Sequence, residues 1–461
     1  MIFRSYQKED YDLVIDFLVR INKNKEYINW NWARMEWMMF HPYFRDEDKG
    51  SIGLWFDDET LVAIAIYDMY FGEVSCLTLE GYEKLYQEVI NYSYQRLQDE
   101  NGLSINVNKN NRSNIKLLEQ LGYKKIEQKE TILSIDINKH FDDALREGYQ
   151  YKEIDPVTDS YEFQYVLFQG FDHGEDKEEF EKEYVDIPAN RPHFDKKLSL
   201  SIMTEDNKLI AYCSLWHLPG TDYAYLEPLC VIPSYRNKGL GKLLVNKLLN
   251  VVSSFDVKTV FVISDSPFYF KAGFSIHSEF YFYHKNRYLK VNDKEYEILS
   301  LLGKGKGGYS YLAQINNQKV VLKQIHHEPC DYYQFGNKIE AEQNDYHRLI
   351  KAGIRIPQMI DVDAANERII KEFIDGETIF DMVKNDQDIS LYIEQVKEMA
   401  SLAKKAGLNI DYFPTNFVVN NSLLYYIDYE CNEYMDEWNF DNWGIKYWSK
   451  SQDFLDYLKN K

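Results

Sequence analysis

The sequence predicts an α/β chain of three successive domains, and three observations support this prediction. Residues 225–232 form an apolar run of strand length, which Pro233 breaks and a glycine turn joins to a helix-like run. Strand-like and helix-like runs also alternate through residues 1–142. After residue 290, a glycine-rich segment lies between two strand-like runs. The length of 461 residues suggests three domains by typical domain size. The patterns along the chain place them at 1–142, 143–290 and 291–461.

The first segment, residues 1–142, is predicted to be one α/β unit. Its strand-like runs alternate apolar and polar residues, whereas its helix-like runs place apolar residues three or four apart. The predicted strands are 2–5, 51–56, 61–70 and 102–107, and the predicted helices are 11–21, 83–97 and 112–121. Gly122 follows the last helix directly, at a position where glycine commonly ends a helix.

The second segment, residues 143–290, contains the clearest functional pattern. Arg236, Gly239 and Gly241 have the spacing R-x-x-G-x-G, directly before an apolar-periodic helix. Glycines let backbone N–H groups approach a pyrophosphate, and a helix N-terminus adds partial positive charge. Lys238 and Lys242, together with Arg236, add mobile positive charge. A strand, a glycine turn and a helix in this order therefore indicate an anion-binding site rather than an ordinary helix cap.

This segment resembles the GNAT acetyltransferases. V-I-P-S-Y-R-N-K-G-L-G-K-L-L-V (231–245) is similar to the family's acyl-CoA-binding motif, and a predicted strand follows at 260–263. Y-F-K-A-G-F (269–274) then resembles the family's tyrosine-containing helix and closing turn. The resemblance implies a GNAT fold that uses acetyl-CoA. The cofactor-binding residues that it implies are Leu229, Cys230, Val231, Arg236, Asn237, Lys238, Gly239, Leu240, Gly241 and Lys242.

Acyl transfer from a thioester to an amine needs a polarised carbonyl, a base and an acid. We expect backbone N–H groups near residues 229–231 to polarise the carbonyl. Glu227, beside Pro228 on the same strand, is the candidate base, acting through a water molecule. The resemblance implies that Tyr269 protonates the departing thiolate. Structural roles for both side chains remain alternatives, and S-D-S-P-F (264–268) stands where the family has an asparagine.

The first segment resembles a GNAT domain that has lost its cofactor motif. V-N-K-N-N-R-S-N-I-K-L-L-E-Q-L-G-Y-K-K-I (107–126) is similar to the second half of the family's fold, with Leu118 in place of the tyrosine. The turn before its central helix is L-T-L-E-G-Y-E-K-L (77–85), which puts Glu80 where phosphate would need basic groups. We interpret this segment as a degenerate repeat that keeps the fold and shapes a substrate cleft.

The third segment follows a polar stretch at 286–294 that we interpret as a linker. Gly303, Gly305 and Gly308 have the spacing G-x-G-x-x-G between two strand-like runs. No helix follows, which argues against a dinucleotide fold, whereas a following strand fits a glycine flap over nucleotide phosphates. Lys323 lies on the next predicted strand, and Glu342 lies on a predicted helix.

These features, with D-Y-F-P-T-N (411–416) and L-Y-Y-I-D-Y (424–429), resemble the protein-kinase-like fold, nearest to RIO-type kinases and the kinase of the tRNA threonylcarbamoylation complex. The resemblance implies ATP and Mg²⁺ as cofactors. It implies that Lys323 pairs with Glu342 on the phosphates, that Asp411 is the catalytic aspartate, and that Asn416 and Asp428 bind magnesium.

The kinase-like segment also departs from the family pattern. Asn409-Ile410 replaces the histidine-arginine pair before the catalytic aspartate, and Tyr429-Glu430 replaces Phe-Gly. Only 34 residues run from Asp428 to the end of the given sequence, which leaves no room for an activation segment and a full helical lobe. We therefore expect a compact, truncated kinase-like domain. Catalysis and a pseudokinase role both remain open.

Composition bounds the partners. The formal net charge is −21, which disfavours nucleic acid and mildly favours cationic amines. The acidic stretch 171–194 is either an amine-attracting lip or a solvated loop. There is no signal-peptide pattern and no run of membrane-spanning length, so we expect a cytoplasmic protein. The five cysteines lack C-x-x-C spacing and indicate neither a disulfide framework nor a zinc site: Cys76, Cys213, Cys230, Cys330 and Cys431.

Three functional hypotheses follow. The first is an acetyl-CoA-dependent N-acetyltransferase that acts on a small-molecule or protein amine, with a C-terminal kinase-like domain of possible phosphotransferase activity. The second is an acetyltransferase that a nucleotide-binding pseudokinase regulates. The third is a non-enzymatic binding or scaffold protein. The sequence identifies neither the acyl acceptor nor the oligomeric state.

Overall fold

The computed structural model describes residues 1–23, 30–41, 44–183, 191–305, 307–328 and 336–459. Within these residues the chain divides into two compact units, Met1–Lys285 and Asn286–Lys461. Cys330 and part of the acidic stretch 171–194 lie outside the described residues. The other four cysteines are buried free thiols, so none of the described cysteines forms a disulfide.

The first unit is built on a sheet of twelve strands. The strands alternate with helices along the chain, as the apolar patterns predict. The strands are β1 (Ile2–Ser5), β2 (Gly53–Asp57), β3 (Thr60–Tyr67), β4 (Glu73–Thr78), β5 (Gly102–Asn108), β6 (Lys124–Asp136), β7 (Tyr149–Glu153), β8 (Ser199–Thr204), β9 (Leu209–His217), β10 (Tyr223–Val231), β11 (Thr259–Ile263) and β12 (Ser275–Asn286).

Nine helices accompany this sheet among the described residues. The amphipathic α8 buries Leu244, Leu248 and Val252, which lie four residues apart on one face. The helices are α1 (Tyr11–Ile21), α2 (Trp32–Met39), α3 (Asp46–Lys49), α4 (Tyr86–Arg96), α5 (Arg112–Gln120), α6 (Ser160–Gly170), α7 (Lys177–Glu183), α8 (Leu240–Val252) and α9 (Pro267–Ala272).

The two halves of this unit exchange their last strands. The strand order is β1-β2-β3-β4-β5-β12-β6-β11-β10-β9-β8-β7, so β6 of the first half lies between β11 and β12 of the second. β6 pairs antiparallel with β11 from Thr259↔Asp136 to Ile263↔Ile132, and it also pairs antiparallel with β12. The predicted division at 142/143 thus falls inside one folded unit, and the two-repeat interpretation stays a prediction from the sequence.

β10 connects the two hydrophobic cores of this unit. Tyr223 and Tyr225 pack into the core that the first half supplies, whereas Ala224 and Leu226 pack into the core of the second half. This alternation follows from the two-residue period of a strand. Side chains on one face of β10 therefore point toward residues of the first half.

The second unit begins with an antiparallel sheet in the order β13-β14-β15-β16-β18-β17. β19, β21 and β22 form a three-stranded sheet, and β20 pairs with β23. The elements are β13 (Tyr288–Val291), β14 (Lys294–Lys304), β15 (Gly308–Ile315), β16 (Gln318–Ile325), α10 (Lys338–Ala352), β17 (Met359–Asp363), β18 (Arg368–Glu372), β19 (Glu377–Thr378), α11 (Ile379–Lys384), α12 (Ser390–Lys405), β20 (Leu408–Ile410), β21 (Phe417–Asn420), β22 (Leu423–Tyr426), β23 (Cys431–Glu433) and α13 (Gln452–Lys459).

The linker prediction at 286–294 was wrong. β13 and the start of β14 occupy this stretch as a hairpin, with Val291↔Lys294 closing the register. Its charged residues mostly lie on the exposed face, while Leu289 and Val291 are buried, so the alternation of a half-buried strand was mistaken for a polar linker. The second unit accordingly begins at Asn286, a few residues before the predicted boundary.

Among the described residues, none of the helices combines the length and the apolar character that crossing a bilayer requires.

Candidate functional site

The glycine turn of the second half has the conformation that an anion site needs. Asn237 and Gly239 have left-handed backbones with φ of 61° and 81°, and α8 begins directly after Gly239. Glycine adopts a left-handed backbone at little cost in free energy, because it has no Cβ atom. Within the described part of the chain, the amide N–H groups of residues 238–242 donate no hydrogen bond. The first turn of α8 therefore presents a set of unpaired backbone donors.

Gly241 allows the start of α8 to pack closely on β10 and α9. A Cβ atom at this position would lie 3.3 Å from Val231 Cγ2 and 3.4 Å from Phe268 Cε2. These distances are tighter than ordinary van der Waals contacts. The glycine thus sets how near the helix end can approach the end of the strand.

Arg236 is braced against the protein, contrary to the expectation of a mobile charge. Its Nε donates to the Val231 carbonyl oxygen at 2.9 Å, and its Nη2 donates to the Gly170 carbonyl oxygen at 2.9 Å. Nη2 also lies 2.9 Å from Asp172 Oδ1. Arg236 consequently ties the turn to β10 and to the end of α6, and its role is first to hold the shape of the turn.

A basic cavity of about 960 Å³ adjoins this turn. Lys238, Gly239 and Lys242 line it, and Lys242 Nζ donates to the Lys271 carbonyl oxygen at 3.1 Å. Its basic lining residues outnumber its two aspartates, Asp136 and Asp142; the basic set comprises Lys139, His140, Arg146, Lys238, Lys242 and Lys271. In a chain with a net charge of −21, this is a local site suited to an anion.

β10 has an open edge at the predicted acyl-binding residues. It pairs with β11 in parallel only from Tyr223↔Thr259 to Tyr225↔Phe261, and the two strands then diverge. Residues 229–231 pair with β9 on the other side. The Ile232 amide donates toward β9, so strand alternation turns the amides of Leu229 and Val231 to the open edge.

Glu227 lies on β10 just before this open segment, and its peptide bond to Pro228 is cis. Its main-chain carbonyl oxygen accepts hydrogen bonds from Ser214 Oγ at 2.5 Å and Trp216 Nε1 at 2.6 Å. Burial raises the pKa of its carboxyl to about 7, with Arg34 lowering it and Asp68 raising it. The carboxyl can therefore gain and lose a proton near neutral pH.

The charges that shift the pKa of Glu227 come from the first half, and no local sequence pattern predicted them. Arg34 on α2 donates to Asp68 at 2.9 and 3.0 Å and to Glu130 Oε2 on β6 at 3.0 Å. Both residues raise the pKa of Arg34 against the effect of its burial. These residues lie about a hundred positions or more from Glu227, and only the exchanged strands bring them to β10.

Tyr269 lies on α9, whose ends are fixed by the local sequence. Ser266 Oγ accepts from the Phe268 amide at 3.3 Å, and Gly273 ends the helix with φ of 107°. Burial raises the pKa of the Tyr269 phenol well above its usual value, and Cys213 and Glu227 raise it further. The hydroxyl group therefore stays protonated at neutral pH, and Glu227 is close enough to influence it.

In the second unit the structure brings together the residues of the predicted nucleotide site. Lys323 on β16 forms an ion pair with Glu342 on α10, and its Nζ lies 3.8 Å from Asp428 Oδ1. Burial lowers the pKa of Lys323, but Asp428 and Glu342 outweigh it and raise the pKa. Glu342 Oε2 is buried without a hydrogen-bond partner among the described residues.

The glycine segment forms a hairpin turn between β14 and β15. The Gly305 amide donates to the Gly308 carbonyl oxygen at 2.9 Å, and His326 Nε2 lies 3.0 Å from the Gly305 carbonyl oxygen. A Cβ atom on Gly308 would lie 2.5 Å from the Gln324 carbonyl oxygen, whereas Gly303 has open space around it. Only glycine fits at position 308.

Asp411, Asn416 and Asp428 gather around the end of β22. The Ile427 amide donates to the Asn416 carbonyl oxygen at 2.9 Å, directly before Asp428. The Asp411 amide donates to Tyr426 Oη at 3.3 Å. Burial raises the pKa of Asp428, but Lys323 and Lys371 reverse this and lower it. Within the described residues, no group of three or more His, Cys, Asp or Glu side chains could hold a metal ion.

The sequence reading missed Lys371 on β18. This lysine is 4% exposed, and its Nζ donates to the Ile427 carbonyl oxygen at 3.2 Å and lies 4.3 Å from the ring centre of Tyr429. Burial and the nearby Lys323 lower its pKa. An alternating apolar strand with one lysine would have been the available signal.

After Asp428 the chain returns at once to the sheet. Tyr429 is fully buried, and its hydroxyl donates to the Pro357 carbonyl oxygen at 2.9 Å. β23 then pairs with β20 from Ile410↔Cys431 to Leu408↔Glu433. The segment between Asp428 and β23 is therefore too short for an activation segment.

Two curated relatives match about a third of the chain each, at low to moderate identity. The chain is 25% identical over 163 residues to the EKC/KEOPS complex subunit bud32 of Dictyostelium discoideum, covering 34% of this chain and 62% of that protein. It is 33% identical over 144 residues to a candidate serine/threonine-protein kinase, YrzF of Bacillus subtilis (strain 168), covering 31% and 60%. The chain spans about three fifths of these curated relatives. The matches are consistent with a fused kinase-like domain.

Solved acetyltransferase structures and one family model are similar to part of the chain. A GCN5-related N-acetyltransferase from Sphaerobacter thermophilus is 14% identical with a TM-score of 0.43, over 62% of this chain and 95% of that chain. A tandem GNAT protein from the clavulanic acid biosynthesis pathway is 14% identical with a TM-score of 0.45, over 62% and 98%. The acetyltransferase (GNAT) family model matches residues 158–274, which include the glycine turn and Tyr269. The chain therefore carries an acetyltransferase domain of the GNAT family, and the predicted mixed α/β fold is confirmed.

Proposed function

We propose that the chain is an acetyl-CoA-dependent N-acetyltransferase whose acceptor is an amine of a small molecule or a protein. The single observation that supports this most strongly is the proximity of Glu227 and Tyr269: Glu227 lies just before the open edge of β10, and it raises the pKa of the Tyr269 phenol on α9. The acceptor's amine needs a base and the departing sulfur needs an acid, and these two side chains have suitable pKa shifts.

The residues present fit acetyl-CoA. The unpaired amides of residues 238–242 would hold the pyrophosphate, and Lys238 and Lys242 in the basic cavity would neutralise phosphate charge. When bound, acetyl-CoA supplies an acetyl group activated as a thioester. Charged phosphates and unpaired backbone donors satisfy each other, which accounts for a donor set that has no partner within the described chain.

The chain's own groups divide the proton transfers between them. Glu227, with a pKa of about 7, can accept the proton that the amine loses. The amides of Leu229 and Val231 face the open edge, where they can donate to an acyl oxygen. Tyr269 keeps its hydroxyl proton at neutral pH and can give it to the departing sulfur.

A mass-spectrometric assay tests this function. Full-length protein, acetyl-CoA and a panel of primary amines and amine-bearing peptides are incubated, and products 42 Da heavier are sought, the mass that an acetyl group adds on replacing a hydrogen. We expect acetylated product with at least one amine and free CoA in equal amount. Binding of acetyl-CoA without any acetylated product, with or without ATP, would favour the scaffold hypothesis.

We further propose that the second unit binds ATP with Mg²⁺. The Lys323–Glu342 ion pair, its distance of 3.8 Å to Asp428, and the unsatisfied Glu342 Oε2 support this proposal. Lys323 and the glycine turn would hold the phosphates, and Asn416 and Asp428 would hold the metal, since Mg²⁺ binds through one or two carboxylates together with phosphate oxygens. ATP would supply a transferable phosphoryl group, and Asp411 would then orient the acceptor hydroxyl.

Calorimetry with ATP and Mg²⁺ separates the remaining alternatives. A phosphotransferase should bind ATP, lose binding on Lys323→Met and release or transfer phosphate. A pseudokinase should bind ATP without phosphate release, and acetylation should then change with ATP. Absence of ATP binding would contradict both and leave an interaction module. We also propose a cytoplasmic protein that does not bind nucleic acid, as its net charge of −21 favours.

A further inference from the structure

Arg191 is a half-buried arginine that no described acidic group neutralises. It lies between two indole rings, with its Cζ 4.4 Å from the ring centre of Trp37 and 5.8 Å from that of Trp216. Within the described residues it makes neither an ion pair nor a hydrogen bond through its guanidinium. Burial lowers the pKa of Arg191 by more than the nearby Tyr212 and Glu36 raise it.

The carboxylate near Arg191 is committed to other groups. Glu36 is fully buried and accepts from Tyr11 Oη at 2.7 Å and from the His193 amide at 2.9 Å. It also pairs with His193 Nδ1 at 2.5 Å, and this contact raises the pKa of His193. Glu36 therefore does not serve as the partner of Arg191. Within the described residues, the guanidinium N–H donors have no acceptor.

Trp216 links Arg191 to the proposed reaction centre. One face of its indole is toward the Arg191 guanidinium, and its Nε1 donates to the Glu227 carbonyl oxygen at 2.6 Å. Trp216 also lies opposite Tyr225 in the β9–β10 register, on the face that packs toward the first half. Arg191 and Glu227 thus border the same region of the sheet, one offering a cation and the other a base.

We infer that Arg191 is a specificity-determining residue that binds an anionic oxygen group, carboxylate or phosphate, on the acyl acceptor. This inference rests on the proposed function, in which Glu227 accepts the proton from the amine of the same molecule. A guanidinium matches both groups with paired N–H donors, and the flanking indoles hold its plane. The acceptor class is therefore a compact amine that also bears an acid, such as an amino acid or an amino-sugar phosphate.

Three variants test this assignment. Arg191→Gln removes the charge and leaves a shorter polar side chain, whereas Arg191→Lys keeps the charge and removes the paired donors. Arg45→Gln is the matched control, because Arg45 lies on the surface in ion pairs with Glu47 and Asp48. Circular dichroism and acetyl-CoA binding should match wild type for all three, so that a loss of acceptor binding is not a loss of folding.

Initial rates are measured on matched pairs of acceptors: an amino acid and its amide, and an amino-sugar phosphate and the free amino sugar. We expect one acidic acceptor to be preferred over its neutral partner, which also tells carboxylate from phosphate. Arg191→Gln should raise the KM for that acceptor about 10- to 100-fold, with kcat changed less than about threefold and the neutral partner unaffected. Arg191→Lys should recover part of the loss.

Tryptophan fluorescence gives a readout that does not need turnover. Because Trp37 and Trp216 flank Arg191, binding of the acidic acceptor should change emission in wild type and in Arg45→Gln, and not in Arg191→Gln. Equal losses for acidic and neutral acceptors, or acetylation confined to amines without an acid, would overturn the inference and leave the acetyltransferase function intact. Failure to acetylate any amine would contradict the proposed function, and this inference with it.

Discussion

The two halves of the first unit share one sheet, yet only the second has the features of an anion site. Each has a left-handed glycine between a strand and a helix, Gly81 with φ of 87° and Gly239 with φ of 81°. In the first half the Gly81 amide already donates to Glu83 Oε1 at 2.8 Å. In the second half the corresponding amides have no partner among the described residues. One carboxylate thus occupies the place that a phosphate would take.

The cavities in the two halves also differ, and the larger one lies in the second half. Between β4 and β5 there is a cavity of about 30 Å³, lined by Cys76, Asn106 and Glu130 among others, which is room for about one water molecule. At the start of α8 the basic cavity measures about 960 Å³. The comparison teaches that two halves that share one sheet can differ in the size and charge of their cavities, because packing and ligand binding depend on different residues.

The first half instead contributes to the neighbouring centre. Arg34 lowers the pKa of the Glu227 carboxyl and Asp68 raises it, while Glu130 accepts a hydrogen bond from Arg34. The sequence-based interpretation of this half as a degenerate repeat that shapes a substrate cleft stays a prediction; the structure adds an electrostatic influence of this half on Glu227.

Replacing a carboxylate by an amide, once on β10 and once on β4, should give the largest difference in activity between the two halves. Glu227→Gln should lower kcat/KM about 10²- to 10⁴-fold, because the amine loses its base. In wild type kcat/KM should fall about tenfold per pH unit below about 7, where the raised pKa leaves Glu227 protonated, and the variant should lose this dependence. Steady-state rates between pH 5.5 and 9 measure both.

Glu73→Gln is the matched control on β4, where Glu73 is exposed and accepts from Gln128. It should leave the pH profile unchanged. A Glu227→Gln enzyme that keeps the wild-type profile would remove Glu227 from the chemistry.

Copying the first half's acid into the second half's turn should give the next largest effect. Gly239→Glu places a carboxylate at the start of α8 and should weaken acetyl-CoA binding about 100-fold, through charge repulsion and the left-handed backbone. Gly81→Glu is the matched control, since both glycines have positive φ and open space at Cβ. Calorimetry should find it at wild-type affinity, and equal losses in the two variants would mean that backbone strain alone is at work.

Removing one charge from the first half should give the smallest effect. The negative charge of Asp68 raises the pKa of Glu227, so Asp68→Asn should lower that pKa and move the acidic limb of kcat/KM to lower pH by less than about one unit. The shift would be read from the same pH series. A limb that moves upward would show that Asp68 acts mainly by holding Arg34.

The predictable parts of this molecule are local in sequence. Apolar periodicity identified β1, α1 and α5 closely, and the R-x-x-G-x-G spacing identified the turn before α8, because each depends on residues within one or two elements. β4 was missed because its residues, Glu73–Thr78, follow β3 too closely to be separated by composition alone. The spacing of Lys323 and Glu342 likewise pointed to a pair that the structure brings into contact.

The parts that sequence reasoning could not supply are set by tertiary structure. The exchange of β6 and β12 follows from pairing between distant strands, and Glu130 on β6 accepts a hydrogen bond from Arg34 on α2. Arg191 is an isolated arginine in the sequence, and its two indole neighbours come from α2 and β9. Arg236 was expected to be mobile, but carbonyl groups from two elements fix it.

The stoichiometry of acetyl-CoA binding tests the central claim most directly. Titration calorimetry on the full-length protein should give one acetyl-CoA per chain, because among the described residues the second half combines unpaired turn amides with a basic cavity. Two equivalents per chain would contradict the claim that the first half has lost its site. No binding at all would contradict the acetyltransferase account itself.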